Sequence, residues 1–207
     1  MLLYADSQFA SPYAMSVFVC LQVKGIAFEL RTLDLSAGHH TQADYVSTSL
    51  TARVPTLVDG DFSLSESSAI SEYLEERFGG ARLYPQDVQA RARVRQVQAW
   101  LRSDLMALRS ERSTEVVFYR PTKAELSPAG EAAAQKLFSV AGAFIRSEHD
   151  HIAGAWSIAD VDLALMLNRL ILNGDPVPPH LAGYARRQWQ HPAIQQWLAQ
   201  PRPPLAG

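Results

Sequence analysis

Apolar and polar positions change rhythm part-way along the chain. Up to Phe78 the apolar runs are short and punctuated. Leu2-Leu3-Tyr4 reads as a strand, residues 6–10 as a loop, and the apolar stretch 12–24 as a helix stopped by Gly25. Residues 28–35 alternate in the manner of a strand. The segment 36–50 is polar and irregular, with room for a short helix around Asp44-Tyr45. Thr56-Leu57-Val58 and Phe62-Ser63-Leu64 then flank Asp59-Gly60, the sequence of a tight hairpin turn. Ser65-Glu66-Ser67 opens a helix whose apolar positions Ile70, Tyr73, Leu74 and Phe78 recur at helical spacing, closed by Gly79-Gly80. The predicted order is β-α-β followed by β-β-α.

After a linker at 80–87 the periodicity is helical throughout. Val94, Val97, Leu101 and Leu108 form one apolar stripe, and Arg91, Arg95, Arg102 and Arg109 a basic one. A second helix is predicted over 127–147. A third, 158–172, is apolar almost all round, which places it at the centre of its domain. Ser157 and Asp160 ahead of it have the S-x-x-D spacing of a capping box. Two short helices, 179–187 and 192–199, precede a tail, 201–207, expected to be disordered. The fold class is therefore α+β: an N-terminal unit over 1–79, the linker, an all-helical domain over 88–200 and the tail.

Composition narrows the partners. The 207 residues are 47% apolar and 19% charged, enough for a proper core. A net charge of −2 argues against nucleic acid or a membrane surface as partner. Its distribution is uneven: residues 1–78 carry 4 Lys/Arg against 10 Asp/Glu, and residues 79–207 carry 15 against 11. Such halves attract one another, within a chain or across a dimer. The single Cys20 excludes an intramolecular disulfide and any CxxC motif, and its place inside the first helix makes it a buried structural thiol. His39-His40 has no third ligand beside it, so no metal is expected. With no leader and no run long enough to cross a bilayer, the expected location is cytoplasmic.

Three short motifs carry the chemistry. Arg53-Val54-Pro55 precedes an apolar strand, and an X-Pro bond there is a place where a cis peptide opens the strand's backbone to a ligand. Glu66-Ser67 stands at a helix N-terminus, whose unpaired N–H groups suit a carboxylate while the acid suits an ammonium. A ligand bearing both groups on one carbon fits that pair. Ser11 directly precedes Pro12 at the start of the first helix and is, on this evidence alone, an N-cap.

Taken together, Ser11-Pro12-Tyr13, Val54-Pro55, Glu66-Ser67-Ser68-Ala69-Ile70 with Tyr73-Leu74, and Ser157-Ile158-Ala159-Asp160 occur in an order that resembles the glutathione transferase superfamily over nearly the whole chain, in tone the serine-type, theta-like bacterial members. The resemblance implies a thioredoxin-like N-terminal domain and an all-helical C-terminal domain. It implies a homodimer that conjugates glutathione to small hydrophobic electrophiles, with reduction of organic hydroperoxides as a second reaction of the same site. Glutathione is then a co-substrate, and no tightly bound cofactor is expected. The thiol, with an ordinary pKa of about 8.5, must be ionised, and lowering it by ~2 units takes ~2.7 kcal/mol of preferential thiolate stabilisation. By resemblance Ser11 donates to that thiolate, with Tyr4 and Ser7 as fallback donors. Val54, held by Pro55, meets the cysteinyl backbone, and Glu66 and Ser67 take the γ-glutamyl ammonium and carboxylate. The glycyl carboxylate needs a donor from Arg53, His40, Gln42 or His39. Phe9, Trp100, Met106, Phe118 and Tyr119 are candidates for the apolar pocket of the second substrate. A non-enzymatic binding or regulatory protein of the same fold is the alternative, and a cysteine-type oxidoreductase is disfavoured because serine occupies the helix start.

Overall fold

The computed structural model describes residues 1–145 and 150–205. The chain divides into two compact units, Met1–Leu83 joined by the stretch from Pro192 onward, and Tyr84–His191.

The first unit is built on four strands. β1 (Leu2–Asp6), α1 (Pro12–Val23) and β2 (Glu29–Leu33) form a parallel crossover. A short 3-10 turn at His39–Thr41 and α2 (Ala43–Thr48) lead to β3 (Thr56–Asp59), β4 (Phe62–Ser65) and α3 (Ser67–Arg77). β3 pairs antiparallel with both β1 and β4, giving the order β2-β1-β3-β4, the thioredoxin-like arrangement. Register sets Tyr4 opposite Thr56, Thr56 opposite Ser65, and Asp6 opposite Leu33. The C-terminal ends of β1, β2 and β4 and the N-terminal end of β3 therefore emerge together at one end of the sheet.

α1 is buried from Ala14 to Leu21 on all faces, as its unbroken apolar run requires, and it packs on β1 and α3. At its end the buried Lys24 ammonium donates to the carbonyls of Phe78 (2.9 Å) and Ala81 (3.2 Å) and pairs with Glu75 at 2.9 Å. A cation at the C-terminus of α3 meets both its unpaired carbonyls and its negative dipole end.

The second unit is helical. α4 (Val88–Ser103), α5 (Met106–Glu111), α6 (Glu115–Phe118), α7 (Pro128–Phe144), α8 (Ile158–Ile171) and α9 (Pro179–Trp189) follow in order. The single helix expected to carry the stripe from Val94 to Leu108 is broken. Asp104 takes the Leu105 N–H at 2.7 Å and the Trp100 indole N–H at 3.0 Å, and Leu105 turns into the left-handed region at φ 61°. An Asx contact of this kind offers the backbone an alternative to the next helical bond. The expected end of the 127–147 helix lies outside the described residues. α8 is buried from Ile158 to Asn168 except at Asp162, and α4, α6 and α9 pack around it. The Arg112 guanidinium, 1% exposed, forks onto Asp175 at 2.6 and 2.8 Å and holds that carboxyl below its ordinary pKa.

α10 (Pro192–Leu198), the last helix of the stretch expected to run to residue 200, packs with the first unit. The reason is Trp197, fully buried, whose ring lies 5.3 Å from those of both Phe9 and Phe18. The tail is correspondingly less free than expected. Arg202 donates to the carbonyls of Leu198 (2.8 Å) and Trp197 (3.0 Å), while residues 206 and 207 of the expected disordered tail lie outside the described residues.

Ser157 and Asp160 form the expected capping box. The acid does more than cap. Fully buried, it accepts the Ser157 N–H (2.8 Å), the Ser157 hydroxyl (2.9 Å), the Ile152 N–H (2.9 Å) and the Tyr184 hydroxyl (2.7 Å). Burial raises its pKa against the pull of these donors, and the same burial raises that of Tyr184. Asp160→Ala leaves two backbone donors and a phenol unpaired in the interior and should destabilise the protein by about 3 kcal/mol or more in denaturant titrations. Stability within 1 kcal/mol of the parent (the ordinary worth of a cap) would reduce Asp160 to a helix cap.

Candidate active site

The end of the sheet where four strand termini meet gathers most of the residues singled out from the sequence. Past the C-terminal end of β1, residues 7–11 loop to the start of α1. Asp6, 5% exposed, accepts the N–H of Ala10 at 2.7 Å and of Ser11 at 3.0 Å. Ser11 is the N-cap of α1, accepting the Ala14 N–H on its hydroxyl at 3.2 Å. A hydroxyl that accepts still has its own proton to donate, so capping and donation to an incoming anion are compatible. The first turn of α1 adds its N–H groups and positive dipole end at the same point.

At the N-terminal end of β3, Val54 stands just beyond the paired ladder, which stops at Thr56. The Val54-Pro55 peptide is cis. Behind it lies a polar network that the sequence did not reveal. The Arg53 carbonyl accepts from the Tyr45 hydroxyl (2.6 Å), Thr56 Oγ1 (3.0 Å) and Ser49 Oγ (3.3 Å). Thr56 and Ser49 are bonded to one another at 2.8 Å, all three side chains are buried, and burial raises the Tyr45 phenol. Nothing in the spacing of Tyr45, Ser49 and Thr56 signals a common acceptor, because the contact closes only when α2 folds onto the turn before β3. The Arg53 side chain itself is exposed.

At the C-terminal end of β4, Glu66 is the N-cap residue of α3 and Ser67 its first helical residue. Ser67 is 3% exposed, whereas the Glu66 side chain is exposed and makes no capping bond to its helix. Its backbone sits at φ 74°, ψ 111°, a region that L-residues avoid because of Cβ. A strained backbone held in place by its surroundings is often found where a ligand is gripped. His40 lies in the 3-10 turn after β2, half-buried, with Nδ1 buried and without a hydrogen-bond partner among the described residues. His39 beside it and Gln42 two residues on are exposed.

Ser11, Val54, Pro55, Glu66 and Ser67 are thus carried to one end of one sheet, with the His40 turn on the connection that leaves the same end. The apolar candidates belong to both units. Phe9, in the first unit, is 7% exposed and packs edge-on against Trp197. In the second unit the Trp100 indole is tied to Asp104, Met106 is 62% exposed, and Phe118 and Tyr119 sit at the end of α6. An open groove of about 770 Å³ lined by Phe18, Ile26, Phe28 and Gln200 lies at the opposite end of the sheet and holds none of the candidate residues.

Residues 9–82 match the model of the glutathione S-transferase N-terminal domain, and residues 87–202 that of the glutathione S-transferase C-terminal domain. The chain belongs to the glutathione S-transferase family. A glutathione transferase homologue from Burkholderia, solved with bound glutathione, is 44% identical to it over 95% of each chain, with a TM-score of 0.79. The maleylacetoacetate isomerase of Methylobacterium extorquens AM1, solved with malonate and glutathione, is 27% identical over 97% of this chain and 98% of its own, with a TM-score of 0.76. Human glutathione S-transferase theta-2 is 42% identical over 86 residues, 41% of this chain but only 35% of the human protein's length. The C-terminal family match runs through α10, so the family boundary and the packing boundary differ by that helix.

The Glu66 backbone gives a test that needs no ligand. In the middle of a helix or strand Gly is less stable than Ala by roughly 0.5–1 kcal/mol. At φ 74° the absent Cβ should reverse the order, making Glu66→Gly more stable than Glu66→Ala by about 1 kcal/mol in paired denaturant titrations. The ordinary order would mean that the turn relaxes without strain.

Proposed function

We propose that the protein is a glutathione transferase in which Ser11 favours the thiolate of bound glutathione for attack on a small hydrophobic electrophile. The observation that carries this reading is the meeting, at one end of the sheet, of a hydroxyl on a helix N-terminus, an unpaired strand end at Val54 and an acid beside a second helix N-terminus at Glu66-Ser67. The tripeptide extends the sheet at Val54, in the manner of strand addition. Its γ-glutamyl head places the ammonium on Glu66 and the carboxylate on Ser67 and the first turn of α3. His40 and Arg53 are the candidate donors to the glycyl carboxylate. In conjugation the thiolate sulfur forms the new bond to carbon as the leaving group departs with its electron pair. With a hydroperoxide the same thiolate attacks the terminal oxygen, breaking the O–O bond to give the alcohol and a sulfenic acid, whose oxygen leaves as water when a second glutathione thiol attacks its sulfur to form the disulfide. Trp100, Met106 and Tyr119, with Phe9, are the candidates for apolar contact with the second substrate. A homodimer in the cytoplasm fits the opposed charge of residues 1–78 and 79–207 and the single cysteine. Among the described residues no helix is long and apolar enough to cross a membrane, and no cluster of three or more potential metal-binding side chains occurs.

The head-group clamp is measured by calorimetry. Removing the Glu66 carboxylate leaves the bound ammonium unpaired, and Glu66→Ala should weaken glutathione binding at least about tenfold, with Ser67→Ala milder. Parent affinity in both variants would leave a helix start and no clamp.

Thiol activation is read separately. Ser11→Ala should bind glutathione nearly as the parent does, because the clamp stands on other strands. The titration midpoint of the bound thiol, followed by its ultraviolet absorbance, should rise. kcat/KM at neutral pH should fall by one to two decades, about 1.4–2.8 kcal/mol, and recover in part as pH is raised. Superimposable titrations would assign Ser11 to capping alone. Tight binding without turnover of any aryl halide, epoxide or hydroperoxide would favour a non-enzymatic binding protein.

A further inference from the structure

Asp6 makes three hydrogen bonds to the loop that presents Ser11. Asp6 accepts the Phe9 N–H on its carbonyl (3.1 Å), the Ala10 N–H on Oδ2 (2.7 Å) and the Ser11 N–H on Oδ1 (3.0 Å). Phe9, inside this loop, is held at φ 48°, in the left-handed region that a residue with a Cβ avoids. Other ties also hold the loop: Ser7 N–H to the Leu33 carbonyl at 2.8 Å, and Arg202 to the Phe9 carbonyl at 3.4 Å. Of these, the Asp6 carboxylate is the one that grips Ser11 itself.

Resting on the thiol-activation reading above, we infer that Asp6 is the positioning residue for the Ser11 hydroxyl. With the Ser11 N–H held on Oδ1 and its backbone at φ −69° and ψ 115°, the direction of its Cα–Cβ bond is set. The Ala14 N–H then fixes the hydroxyl oxygen, so that the remaining O–H has one region of space to donate into. Charge-assisted bonds to a buried carboxylate are the strong kind, suited to holding a loop whose backbone would otherwise relax. Misplacement of such a group by 1 Å costs on the order of 100-fold in rate.

The sign of the effect separates this role from simple electrostatics. A carboxylate near the forming thiolate opposes its ionisation, so removing the charge alone would lower the thiol's titration midpoint. Positioning requires the opposite: without Asp6 the midpoint rises toward that of Ser11→Ala, because the donor is lost from its place.

Two variants, Asp6→Ala and the isosteric Asp6→Asn, are compared with Ser11→Ala and with the double variant Asp6→Ala/Ser11→Ala. In the ligand-free protein, amide hydrogen exchange at Ala10 and Ser11 should accelerate at least about 100-fold in Asp6→Ala, with Leu57 in β3 unchanged. Asp6→Asn, which keeps one acceptor, should free one of the two amides. With glutathione and a dinitroaryl chloride, Asp6→Ala should lower kcat/KM by about tenfold or more while the glutathione KM stays within about threefold. The thiol midpoint should move upward. In the Ser11→Ala background the same substitution should change kcat/KM by less than about twofold, since it acts through the missing hydroxyl. Unchanged exchange at Ala10 and Ser11, a midpoint that falls, or an equal loss in both backgrounds would each overturn the inference. Should Ser11→Ala by itself leave the bound thiol's titration unmoved, the thiol-activation reading falls, and the exchange rates still decide whether Asp6 holds Ser11 in place.

Discussion

Antiparallel pairing of β3 with β1 on one side and β4 on the other is the constraint on which the site rests. It sets Tyr4, Thr56 and Ser65 side by side, so that three chain reversals, at Asp6, Val54 and Glu66, fall at one level of the sheet. A slip of one residue between β1 and β3 would turn Leu57 away from Leu3, and a slip between β3 and β4 would carry Glu66 off the level of Val54. The pairing is specified by burial. Leu3 and Leu57 are opposite one another and almost wholly inaccessible, so the register that positions the polar ends is fixed by the apolar residues between them.

Around that frame, buried polar groups act as ties at chain reversals. Asp6 holds the loop into α1, the Tyr45-Ser49-Thr56 network holds the turn into β3, Lys24 holds the end of α3, and in the helical unit Asp160 and the Arg112-Asp175 pair hold the approaches to α8 and the end of the loop after it. Each tie satisfies backbone donors or acceptors that no helix or strand would pair. A buried polar hub of this kind has one arrangement that satisfies every member, which is why it fixes geometry where apolar packing alone tolerates drift. Positive φ occurs beside two of the ties, at Phe9 and Ala52, and again at Glu66 at the start of α3. For the thiolate and zwitterionic head group of the proposed function, which fixed dipoles would meet, such rigidity matters more than added contact area.

The sequence by itself determined the order of elements, the buried centre at α8, the capping box before it, and the residue types at Ser11, Val54-Pro55 and Glu66-Ser67. These follow from signals within one turn or one hairpin: a serine before proline, an Asp-Gly between apolar runs, an acid and serine ahead of a helical stripe. Only the tertiary structure decided the rest. The break at Leu105, the attachment of α10 to the first unit through Trp197, the convergence of three polar residues on the Arg53 carbonyl, and the grip of Asp6 on Ser11 all depend on groups meeting across a fold or a turn. Asp6 read as the first residue of a loop because a carboxylate at the end of a strand looks the same whether it faces water or two amides. Local pattern records which face of an element is apolar, but a polar side chain carries no mark of the partner it will find once that face is buried.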